Sequence, residues 1–155
     1  MTSTYTPEEA KKVIKAVTLS GIAVAIADVG IVSTAIEATA LAKEVGGVAK
    51  KYPGNTIIQG VFSEEAMKNF SLGEDPKDFT PDNAAEQAIA AITDALATLE
   101  TKATPEEISE YKQFIYATAE SVANAAGSGL FGTGKSKVSD TEAAVLTKLK
   151  VVLSV

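Results

Sequence analysis

The sequence predicts an all-α fold, a single-domain bundle of about six helices spanning residues 1–155, and three observations predict it. A helix-start signature recurs as Thr6-Pro7-Glu8-Glu9, Thr80-Pro81-Asp82-Asn83 and Thr104-Pro105-Glu106-Glu107. Apolar residues recur at helical spacing over most of the chain. Alanine is abundant, with 26 residues, and small side chains both favour helix and let helices approach closely. In each signature the Thr hydroxyl can accept from an orphan amide, Pro lacks the N–H that would be wasted, and the acids suit the positive end of the helix dipole. Glu9 and Glu107 can also close capping boxes.

From Pro7, the positions Ala10, Val13, Ile14, Val17 and Gly21 share one helical face, and Ile22–Ala27 is apolar all round, as in a helix that becomes buried. Asp28-Val29-Gly30 breaks it. Ser33 is a candidate N-cap for a second helix through Ile36, Ala40, Leu41 and Val45, ending at Gly46-Gly47 or slightly later. After the turn Tyr52-Pro53-Gly54-Asn55, the β-branched and aromatic run Thr56–Phe62 reads as strand or helix. Helix is favoured, because Ile58, Val61, Phe62, Ala66 and Phe70 fit one face and no partner strand exists. Ser71–Phe79 is a polar loop. Pro81–Leu99 carries the stripe Ala85, Ala88, Ile89, Ile92, Ala95, Leu96, Leu99, and Pro105 to about Ala126 carries Ile108, Tyr111, Ile115, Thr118, Val122, Ala126. A glycine-rich loop follows. Ser139-Asp140-Thr141-Glu142 is a further capping box, opening a final helix with Ala143, Leu146, Leu149 and Val152 expected inward.

A weak internal repeat runs through this pattern. Thr-Pro-Glu-Glu, a long helix, a glycine-containing loop, Val32-Ser33 or Val138-Ser139, and a shorter helix occur near both ends. Two pseudo-repeated helix-loop-helix units, or two alanine-rich helices with similar caps, give the same appearance.

Composition removes most familiar chemistry. There is no Cys, His, Trp or Arg, which excludes Cys/His zinc sites, haem ligation, thiol nucleophiles and imidazole-based triads. All 14 basic residues are lysine against 20 acids, for a net charge of −6 and a pI near 4.7, so no nucleic-acid partner is expected. The run Ala16–Ala42 has no lysine, but Asp28 and Gly30 interrupt it, and a carboxylate at mid-membrane costs roughly 3 kcal/mol. No spanning segment is expected. Lys11, Lys12 and Lys15 before Ala16–Ala27 imitate a signal peptide, yet Glu8 and Glu9 spoil its basic start, and a cytoplasmic protein is expected.

Gly129-Leu130-Phe131-Gly132-Thr133-Gly134-Lys135-Ser136 satisfies the phosphate-loop pattern by letter. That mechanism needs a strand before the loop and a helix starting at Lys-Ser. Helical periodicity precedes it and the next helix is capped only at Ser139, so no nucleotide is expected. The acids remain as candidates. Asp28 ends an apolar helix, Glu37 lies on the first turn of the next, and Asp140 and Glu142 hold the equivalent place in the second unit. Carboxylates converging there could hold a hard divalent cation, Ca, Mg or Mn, through oxygen. The same acids equally serve as partners of helix dipoles. Asp28 stands out, because an acid after so apolar a stretch requires a partner if buried, which Lys15 or a backbone amide could also provide.

At Ala27-Asp28, Gly30, Val32-Ser33 and Glu37, and again at Gly134, Val138-Ser139 and Glu142, the sequence resembles the tellurite-resistance TerB-like family. Val29 separates Asp28 from Gly30, and the second unit has no Asp in the corresponding place. The resemblance covers these two stretches and the all-helical architecture. It implies an intracellular, non-catalytic protein of stress or tellurite response that binds a cation or a protein partner, with Asp28 and Glu37 matching the pattern best. Two other functions fit the residues: a ligand-free helical homodimer or scaffold joined through alanine-rich faces, and an enzyme with a carboxylate acid/base in an interhelical pocket. Concentration-dependent mass would mark the dimer, and a water-lined cleft the enzyme.

Overall fold

In the computed structural model, described over residues 5–27, 34–69, 80, 83–127 and 140–155, seven helices make up the fold. They are α1 (Pro7–Ala27), α2 (Thr34–Lys51), α3 (Thr56–Phe62), α4 (Glu64–Asn69), α5 (Ala84–Leu99), α6 (Pro105–Gly127) and α7 (Asp140–Leu153). Side chains are described outside 27–42, 69 and 125–127. The all-α expectation holds, and no strand occurs among the described residues.

The predicted starts form as their chemistry requires. Thr6 N–H donates to Glu9 Oε2 at 2.8 Å and Glu9 N–H to Thr6 Oγ1 at 3.2 Å. Thr104 and Glu107 repeat that reciprocal box at 3.0 and 3.2 Å. Thr80 and Asn83 build a third from an amide, with Thr80 N–H donating to Asn83 Oδ1 at 2.8 Å. Regular helix in α5 begins at Ala84, three residues after the predicted Pro81, although Ala84 N–H already donates to Thr80 O.

Two expectations needed adjustment, those for the third and the last helix, and the end of the second is now fixed. The predicted third helix is two, because Ser63 is extended at φ −67° and ψ 158°. Its hydroxyl accepts from Ala66 N at 3.2 Å and so caps α4 afresh. The second helix runs past Gly46-Gly47 to Lys51, since Val45 and Val48 bury themselves on opposite sides of that pair and tertiary packing outweighs the glycines' poor propensity. Its last carbonyls are then covered from α3, where Gln59 Nε2 donates to Ala49 O at 2.6 Å and Tyr52 O at 3.0 Å. In α7 the inward stripe is Glu142, Leu146, Leu149 and Leu153, with Ala143 exposed and Val152 half-buried.

Directions follow from the contacts. Tyr111 of α6 donates its hydroxyl to Val13 O of α1 at 2.7 Å, and both helices start at the same end. Lys12 of α1 meets Asp94 of α5 at 3.3 Å, while Glu9 meets Lys102 just beyond that helix, so α5 runs opposite to α1. Ser121 of α6 bonds Glu44 of α2, and Asn55 beyond α2 bonds Glu107 at the start of α6, which makes those two antiparallel. Ser154 and Val155 close a groove against Pro105, Ile108 and Ser109, so α7 also runs against α6. The central α1 buries Ala10, Val13 and Ile14 on one face while Lys11, Lys12 and Lys15 stay exposed, and Ala16, Val17, Leu19, Ala23 and Val24 follow inside. Phe62 of α3 meets Phe114 of α6 edge to face, ring centres 5.2 Å apart. Two buried hydroxyls bond within their own helix: Ser20 Oγ donates to Ala16 O and Thr118 Oγ1 to Phe114 O.

Candidate functional site

This topology gives the bundle two ends of different chemistry. One end gathers the starts of α1, α3 and α6. There Glu107 serves two helices at once: its Oε2 accepts from Thr104 N–H, closing its own cap, and its Oε1 accepts from Thr56 N–H at 3.0 Å and Thr56 Oγ1 at 2.7 Å. Asn55, 1% exposed, caps α3 by accepting from Ile58 N–H, and its Nδ2 donates to Glu107 O and Glu110 Oε2 at 3.0 and 2.8 Å. Neighbouring Glu9 accepts from Lys102 Nζ at 2.7 Å, and that ammonium also lies 5.7 Å from the centre of the buried Tyr5 ring.

The titration of these groups reflects the network. Desolvation acts to raise Glu107, but hydrogen bonds from Thr104 and Thr56 outweigh it and hold the carboxyl below its ordinary value. Glu9 is lowered by its Lys102 hydrogen bond and by Thr6. Tyr5 is raised by burial, with Glu107 and Glu9 adding to the effect against a hydrogen bond from Thr56. Burial also pushes the Tyr111 phenol far up, which keeps it a neutral donor to Val13 O. The contacts of Thr6, Glu9, Asn55, Thr56, Thr104 and Glu107 described above cap helix starts or tie one segment of the bundle to another. Sequence reading recognised Glu9 and Glu107 as box-formers but took Asn55 only as part of a turn. Its signal was an Asn directly before a helical apolar run, the N-cap position.

The opposite end receives the close of α1 and α6 and the start of α2, α5 and α7. It is also the end to which the acid-bearing segments attach. Of the four predicted ligands, Asp28 lies outside the described residues, between Ala27 and Thr34. Glu37 is the fourth residue of α2, with its side chain outside the described set. Asp140 is exposed at the first position of α7. Glu142 is 3% exposed, heads the inward stripe of α7, and is engaged in an interaction there. Among the described residues no group of three acidic side chains that could hold a metal ion occurs; Asp28 and the Glu37 side chain lie outside that set, and Glu142 is placed in the interior. The phosphate-loop pattern at 129–136 and the cap Ser139 also lie outside the described residues.

Two open grooves lie among the described residues. One of about 410 Å³ lies between the α5–α6 hairpin and the end of α7, and one of about 240 Å³ lies between α1 and α5 beside the Lys12–Asp94 pair. Among the described residues, no helix is long and apolar enough to cross a membrane. Comparison with known proteins gave no matching family model, no matching curated protein and no matching solved structure.

Proposed function

We propose that the protein is a non-catalytic, TerB-like helical binding protein of the cytoplasm that takes a divalent cation at the end of the bundle where α7 starts. The observation that supports this reading most is the burial of Glu142 at 3% exposure, at the end to which the chain bearing Asp28 and Glu37 is attached. A carboxylate is a hard oxygen donor suited to Ca, Mg or Mn, and a buried one is held in place by compensating charge or hydrogen bonds. Glu142 would supply the interior oxygen, and Asp28 and Glu37 the ligands matching the family pattern. The tellurite or stress role follows from the resemblance alone, with cation or partner binding as its physical basis.

The test is a thermal melt of chelator-treated protein with calcium, magnesium and manganese, on wild type, Asp28→Asn and Glu142→Gln. A cation that binds only the folded state should add about 2.7 kcal/mol at a hundred times its dissociation constant. The expected result is a rise with one ion, lost in both variants. A melt unmoved by all three ions would overturn the cation assignment.

A further inference from the structure

The face of α2 turned from the core carries Lys43, Gly46, Gly47, Lys50 and Lys51, all exposed. Their spacing of three, four, seven and eight residues puts them in one stripe. In a chain of net charge −6, this is a local excess of positive charge. Among the described residues none of the three lysines has an ion pair or hydrogen bond, and Lys51 Nζ simply rests 5.6 Å from the centre of the Tyr52 ring. Lys50 and Lys51 lie in the last turn of α2, at the negative end of its dipole, and among the described residues no acidic side chain pairs with any of the three.

Between the lysines the helix backbone is bare. A Cβ added at Gly46 or Gly47 would meet nothing within 4 Å, and both residues have ordinary helical backbone, so the fold itself requires neither glycine. Glycine weakens a helix interior relative to alanine. What two adjacent glycines do provide is close approach to the helix axis from outside.

We propose that this face docks an acidic helix of a partner protein, with the partner's backbone laid across Gly46 and Gly47. Its carboxylates then meet Lys43 at one side and Lys50 and Lys51 at the other, seven residues or roughly 10 Å along the axis. Charge complementarity selects an anionic occupant. A membrane surface fits less well, since the stripe offers no apolar side chain to insert and Val45 and Val48 are turned into the core. Nucleic acid fits less well again, since three lysines with no arginine make a short, weak phosphate track. This surface is separate from the Glu142 end and does not depend on the cation reading.

The experiment is an amide NMR titration of the full chain with a synthetic alanine-based helical peptide carrying Glu at positions i, i+7 and i+8. A control peptide carries Gln instead. Saturable shifts centred on Gly46 and Gly47, absent with the Gln peptide, are expected. Lys43→Gln/Lys50→Gln/Lys51→Gln should weaken binding roughly tenfold or more, as loss of several charge contacts does. Gly46→Ala/Gly47→Ala should melt higher than wild type yet bind roughly tenfold less. That pairing separates lost docking from lost folding. The proposal fails if no shift occurs up to about millimolar peptide, if both peptides act alike, or if the alanine variant binds as wild type does. It fails equally if phosphatidylserine vesicles bind this face and the peptide does not.

Discussion

Glu107 and Glu142 stand in the same place of the same helix-start signature, three residues after Thr104 and Ser139, at opposite ends of one bundle. Glu107 is partly exposed and accepts three hydrogen bonds from two helix starts. Glu142 is 3% exposed and continues the apolar stripe of Leu146, Leu149 and Leu153. A capping signature thus specifies where a helix begins but leaves the carboxylate's surroundings to the neighbouring elements. At the first end α3 arrives with an amide and a hydroxyl to be capped, which makes the acid a strap. At the second end the rotation of α7 turns the acid into the interior, on the same stripe as Leu146, Leu149 and Leu153.

The largest expected effect breaks the strapped end. Asn55→Ala removes the cap on Ile58 N–H and both straps to α6, leaving buried polar groups without their partner. A cap is worth about 1 kcal/mol and a hydrogen bond to a carboxylate about 1.5–3 kcal/mol, so with incomplete additivity the loss should be about 3 kcal/mol. Urea unfolding measures it. A loss below about 1 kcal/mol would mean that the apolar contacts of α3, not the polar straps, hold this end together.

A smaller effect comes from titrating the same end. Glu107 and Glu9 have folded-state values below their unfolded ones, so their contribution is complete above the ordinary glutamate value of 4.5 and is lost as pH falls through the folded values. Melting temperature should therefore fall with acidity below about pH 4.5. Glu107→Gln keeps one carbonyl acceptor of two oxygens, and should cost about 1 kcal/mol at neutral pH. It should also flatten the acid limb. An acid limb as steep in the variant as in wild type would assign the acid sensitivity to carboxylates elsewhere.

The contrast between ends also accounts for what sequence made legible. Helix starts were readable because Thr, Pro and Glu act on amides within three residues of themselves, as Thr6/Glu9 and Thr104/Glu107 do. The stripes of α1, α3, α5 and α6 were readable because each is covered on one broad face; Tyr111, Ile115, Thr118 and Val122 all fall inside as spaced. The facing of α7 was not, since Ala143 and Glu142 are adjacent and the choice between them rests on how α1, α5 and α6 leave room. The end of α2 was legible only as Gly46-Gly47 or slightly later, since Gln59 and the buried Val48, which carry it to Lys51, act through contacts outside the segment. Of the candidate site, the acidic residue types were legible, but which of them share the same surroundings is set by tertiary structure, as the burial of Glu142 beside the exposure of Asp140 shows.

The smallest effect sharpens the comparison on α7 itself, whose first turn holds Glu142 and whose last turn abuts the strapped end. Val155 N–H donates to Lys150 O and Ser154 N–H to Val151 O, both at 3.3 Å, with Ser154 at φ 56°. These two bonds and the left-handed residue form a Schellman closure, in which glycine is the favoured occupant. Serine there carries a conformational cost of about 1–2 kcal/mol; glycine removes it, but its greater freedom in the unfolded chain cancels part of the gain. Ser154→Gly should thus stabilise by about 0.5 kcal/mol, or about 1–2 °C in melting temperature for a chain of this size. If α7 is a cooperative part of the bundle, that gain should be the same in wild type and in Glu142→Gln. A gain present in one background and missing in the other would show that α7 frays independently, and that its two ends are energetically coupled through the helix instead of through the core.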